Sequence, residues 1–170
     1  MIGVSASAGL GAVAALYFGL VSISAMALPA MAIAGAALGG ITLLLIAGRG
    51  ATATTLILSG VAVGALANSL VALAMNFSSN PWALSEIAYW LMGSLANTSW
   101  TDVQLAAPLM ALGGLIIWST RRDLDALTMG EETARSMGVS LHSLQIRLIS
   151  GTALAVGAAV AVAGAIGFVG

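Results

Sequence analysis

Residues 127–139 read LTMGEETARSMGV, and they set two adjacent glutamates and an arginine into a chain that is otherwise almost free of charge. Thr128 followed three residues later by Glu131 has the spacing of a capping box, in which the hydroxyl takes an orphan N–H and the carboxylate reaches back. Glu131 and Arg135 stand four apart in the favourable order. Gly138 suits the left-handed position just past a helix end, with Val139 placed to touch Ala134. The spacing predicts a helix over about 129–137. So short a helix falls below the ~12–15 residues that persist alone in water. It must lean on its own bundle, on lipid headgroups or on a partner.

The rest of the chain says what solvent surrounds it. Of 170 residues, 60% are hydrophobic and 6% charged, with a mean hydropathy of +1.08. A water-soluble domain carries roughly 25% charged residues, so this surface faces lipid. Cysteine and lysine are both absent, which excludes a disulfide framework, a thiolate metal site and any GxxxxGK[ST] phosphate loop. A net charge of −1 offers no surface for nucleic acid. Ile2 follows Met1 without a basic region, so no cleavable signal peptide is expected. The composition predicts an all-α, multi-pass membrane protein.

A span needs about 20 apolar residues, and the positions of ionisable groups and prolines divide the chain accordingly. Five spans are expected at about 4–26, 29–47, 53–75, 103–119 and 146–168, forming one transmembrane domain over 1–170. Tight turns fall at Ala27–Pro29 and at Arg49, and Pro108 is expected to kink the fourth span. Residues 76–100 hold Asn76, Asn80, Pro81, Glu86 and three of the four tryptophans. Aromatic residues gather at the headgroup level, so a short interfacial helix is expected there. Asp102 and Asp123 read as isolated acids at span ends.

Four of the five arginines, four of the six acids and the single histidine, His142, lie in or beside 120–147. The positive-inside rule puts that loop in the cytoplasm. Arg49 then falls on the same side, 76–100 outside, the N-terminus inside and the C-terminus outside. Helices in lipid approach through small residues. Gly35–Gly39 and Gly60–Gly64 are such pairs, with Asn68 one turn on and suited to an interhelical hydrogen bond. Ser5, Gly9, Ala12 and the pair Gly157, Ala161 suggest further packing faces.

Several long motifs are similar to those of the membrane subunits of ATP-driven importers for iron–siderophores, haem and cobalamin, the ten-helix permeases of type II ABC importers. They are YWLMGSLANTSWTDV at 89–103, PLMALGG at 108–114, MGEETARSMGV at 129–139 and GAAVAVAGAIGFVG at 157–170. IGVSASAGLGAVAAL at 2–16 resembles the third helix of that family. The resemblance covers essentially the whole chain and places it on helices three to seven, so the 170 residues are expected to be part of a permease. It implies that Gly130, Glu131, Glu132, Ala134, Arg135 and Gly138 form or shape a coupling element seated on a separate ATP-binding subunit, with Glu132 reaching a partner cation. It also implies a second permease subunit or copy, and an external substrate-binding protein near Glu86. The location implied is the bacterial cytoplasmic (inner) membrane. No catalytic residue, metal ligand or cofactor is expected on this chain. Where the family reads GPIGFVG, this sequence has alanine at 165, which restores a backbone N–H and softens the local kink.

Two other classes fit the hydropathy. Half of an inverted-repeat secondary transporter would keep ionisable groups at membrane depth, whereas here they fall at or outside the span limits. A non-transporting membrane fragment would have no need of a capped helix at 129–137.

Overall fold

The computed structural model describes residues 2–24, 26–48, 51–78, 81–94 and 98–164. The described residues form α1 (Ile2–Tyr17), α2 (Ala27–Ala47), α3 (Ala53–Phe77), α4 (Pro81–Met92), α5 (Trp100–Ser119), α6 (Arg121–Leu127), α7 (Glu131–Ser136) and α8 (Leu141–Ala163). Among the described residues four helices, α2, α3, α5 and α8, are long and apolar enough to cross a membrane. The architecture is that of an all-α membrane protein.

Three expected spans match their helices within a few residues, and two do not. The first was placed at 4–26, yet α1 stops at Tyr17. Gly19, at φ 65, turns the chain into a 3-10 turn over Leu20–Ser22. The residues beyond it are as apolar as the helix, so hydropathy alone carried the span too far. The fifth was placed at 146–168, but α8 begins at Leu141 and ends at Ala163, with Gly164 as its C-cap. Pro29 falls inside the first turn of α2, where its missing N–H has no helical partner to lose. α5 continues unbroken through Pro108.

α1 is the centre of the bundle. Val4, Ala8, Ala12, Val13, Ala15 and Leu16 are all buried, and α2, α3, α4 and α8 surround them. Small residues let the neighbours come this close. A Cβ on Gly11 would meet the Met31 carbonyl, and one on Gly35 the Ser7 carbonyl and the Gly11 backbone. Gly39 faces the Ser7 side chain and Gly3 the Gly60 carbonyl. Both expected GxxxG pairs therefore lie against α1 or α2, but their partner stripe on α1 is Gly3, Ser7 and Gly11. Gly9 has open space where its Cβ would be. α5 joins through α8, with Gly113 against the Gly151 carbonyl and Ala155. Asn68 is exposed on α3 and makes no interhelical hydrogen bond among the described residues, because the turn facing the bundle is occupied by Val63, Gly64, Ala67 and Val71.

The two ends of the bundle are distinct. At one end the Gln145 Nε2 donates to the Ala51 carbonyl at 2.6 Å, which brings the α2–α3 turn beside the start of α8. Arg49 itself lies outside the described residues. At the other end the Ser94 N–H donates to the Ala163 carbonyl at 2.9 Å, tying the segment after α4 to the end of α8. α4 is the short helix expected within 76–100, but its aromatics divide. Trp82 and Tyr89 are exposed, as is Trp100 at the start of α5, whereas Trp90 packs against the buried clusters around Val13, Ala8 and Ala12. Ile87 beside it is fully buried. The helix is half sunk in protein, not only resting at an interface.

Candidate functional site: the coupling loop

The polar stretch between α5 and α8 folds into two short helices. Thr120 closes α5 and opens α6 together; it is fully buried and its Oγ1 donates to the Ile117 carbonyl at 2.7 Å. The Arg121 guanidinium lies 5.0 Å from the centre of the Trp118 ring, a cation–π arrangement at the end of a span. Asp123 sits in the first turn of α6, where the helix dipole favours an acid. Its Oδ2 accepts from the Arg147 Nη2 at 2.7 Å. This is the only salt bridge among the described residues. Asp123 is thus not isolated, as its place in the sequence suggested.

The start of α7 differs from the expected capping box. Thr128 ends α6 instead, its Oγ1 donating to the Asp125 carbonyl at 2.7 Å. Gly130 is the N-cap of α7, with φ 102 and ψ 151 and no side-chain cap. That backbone region is essentially restricted to glycine. A capping box does occur elsewhere: Ser99 and Asp102 bond each other's backbone N–H groups at the start of α5. The helix itself spans Glu131–Ser136, inside the expected 129–137. Glu131 and Arg135 form no salt bridge, and both acids of its first turn are left to the dipole.

The end of α7 matches its sequence. Gly138 takes φ 88, its N–H donates to the Arg135 carbonyl, and the Val139 N–H donates to the Ala134 carbonyl, both at 3.0 Å. This pair of bonds is a Schellman stop. Ala134 is fully buried. Glu132, Thr133 and Arg135 are exposed and Glu131 is half-buried. α7 therefore anchors one small side chain inward and turns a charged face outward, held between two glycines at positive φ. Ser140 then caps α8 through the Ser143 N–H, and His142 is exposed in the first turn.

The structure gathers Gly130, Glu131, Glu132, Ala134, Arg135 and Gly138 into one protrusion beside the start of α8. Glu86 is exposed on α4 at the opposite end of the bundle. Ala165 lies outside the described residues. Sequence reasoning missed Asp123–Arg147 and Gln145–Ala51, whose partners stand 24 and 94 positions apart. No helical periodicity marks such pairs; the only signal was that opposite charges flank the loop.

The site is thus a charged, glycine-bounded protrusion on a multi-span helical body. The FecCD transport family matches residues 1–170, and the chain belongs to that family. It is 36% identical over 172 residues to the vitamin B12 import system permease protein BtuC of Salmonella paratyphi A, covering all of this chain and 52% of that relative. The BtuC protein of Salmonella newport (strain SL254) gives the same identity and coverage. A solved metal-chelate type ABC transporter, in an inward-facing conformation, aligns with a TM-score of 0.87 and 28% identity, over 98% of this chain and 52% of that one. The chain spans about half the length of the relatives it matches.

Proposed function

We propose that this chain forms part of the permease of an ATP-driven importer in the bacterial inner membrane, and that α6 and α7 are its coupling element. ATP is hydrolysed on separate subunits seated against α7. A second permease copy and an external binding protein complete the machine, and substrate crosses the membrane as those subunits close and open. The cargo is a metal chelate, a class spanning iron–siderophores, haem and cobalamin; vitamin B12 permeases among the relatives and a metal-chelate transporter among the structures support that class. Glu86, exposed at the external end, is available to the binding protein.

One observation carries this reading. Within a body that is otherwise apolar, the exposed Glu132 and Arg135 and the half-buried Glu131 are presented by a helix too short to stand alone, fixed by Gly130 and the Gly138 stop. A fragment without a partner would gain nothing from that construction. The secondary-transporter alternative lacks support, since Asp102 lies in the first turn of α5 and Arg147 in the second turn of α8, with no ionisable group at the middle of a long described helix.

The test is recovery of the cognate ATP-binding subunit with the tagged chain. Reversing Glu131 and Glu132 together to arginine is expected to lower recovery at least about tenfold, since like charge at an interface costs several kcal/mol. Unchanged recovery would remove α7 as the docking surface.

A further inference from the structure

α8 is fixed at both of its ends to different parts of the molecule. At its start, Arg147 holds Asp123 of α6 at 2.7 Å, and Gln145 holds the Ala51 carbonyl at 2.6 Å. At its finish, the Ala163 carbonyl accepts from the Ser94 N–H at 2.9 Å. Gly164 follows at φ 73, and a Cβ there would meet the Trp90 carbonyl and Gly93. The end of α8 and the end of α4 are therefore in backbone-to-backbone contact.

α8 is 23 residues of unbroken helix, and from Gln145 to Ala163 it runs about 27 Å at 1.5 Å per residue. The helix contains no proline, and Gly151 and Gly157 are packed against Gly113 and Ala36. α5, although it enters the loop directly, reaches the bundle through α8. Displacement of α6 thus has one well-braced route to the far end. The Asp123–Arg147 pair is half-exposed, with side chains 28% and 39% accessible. A pair so placed adds little to stability, so its worth lies in geometry.

We infer that Asp123 and Arg147 are positioning residues for coupling: they clamp α6 to α8, and α8 carries the loop's displacement to the external helix α4. The inference rests on the coupling-loop reading above. It adds the route and the residues that transmit.

The test uses the absence of cysteine in this chain. Nitroxides are attached at Ser136→Cys on α7 and Ser85→Cys on α4, and the distance distribution between them is measured by double electron–electron resonance in lipid nanodiscs. Asp123→Asn and Arg147→Met are each expected to broaden it about twofold, as a two-ended link loses one fixing. The exchanged pair Asp123→Arg with Arg147→Asp is expected to restore the parental width, which damage from either substitution unrelated to the pair would not allow. Gly164→Ala, at the other end, is expected to broaden it as well. Single variants with parental widths, or an exchanged pair as broad as the singles, would overturn the inference. These measurements need no ATP-binding subunit, so they stand apart from the recovery experiment that judges docking.

Discussion

The α1–α2 contact and the loop from Thr120 to Ser140 both depend on glycine, for opposite physical reasons. At Gly11 and Gly35 the backbone is ordinary helix, and what is scarce is room: a Cβ would run into the neighbouring helix's main chain. At Gly130 and Gly138 nothing lies within reach of an added Cβ, and what is scarce is conformation, because φ is 102 and 88. In lipid, helices bind by close approach, so the body uses glycine to remove bulk. In water the loop must turn sharply around a helix of six residues, so it uses glycine to reach backbone angles that other residues avoid.

Substitutions that respect one requirement and violate the other should separate the two regions. Gly35→Val is expected to have the largest effect. It forces α1 and α2 apart against rigid backbone, at the upper end of the ~1–3 kcal/mol of overpacking or beyond, and should be read as loss of the monodisperse peak in detergent chromatography. Gly138→Ala is expected to cost less, about 1–2 kcal/mol for a left-handed residue with a Cβ. Faster hydrogen exchange at the Val139 amide would report it, with the long helices unaffected. Gly138→Asn should recover much of that loss, since asparagine tolerates this region, whereas Gly35→Asn should not be tolerated. Gln145→Leu is expected to have the smallest effect, about 1 kcal/mol in thermal unfolding. It orphans the Ala51 carbonyl but also removes Oε1, a buried acceptor with no partner among the described residues.

The same contrast explains what could be read from sequence. Features set by neighbours along the chain were legible. The Gly138 stop involves residues 134–139 only, and α2, α3 and α5 follow from uninterrupted apolar runs bounded by turns. Features set across space were not. Thr128 had the local spacing of a cap, but α6 forms where a loop was expected, and its end claimed the hydroxyl for the Asp125 carbonyl. Asp123 meets its partner only once α6 and α8 are side by side. Trp90 had the composition of an interfacial anchor, yet α4 packs against α1 and makes it a packing residue. Glycine spacing announced close packing but not which stripe on α1 would receive it.

The central claim is that α7 faces the cytosol and meets an ATP-binding subunit there. Because the chain lacks cysteine, a single Glu132→Cys can be probed with a membrane-impermeant maleimide in intact cells and in inverted vesicles. The account predicts labelling in inverted vesicles only, with protection when the ATP-binding subunit is bound. Labelling of intact cells from outside would contradict it.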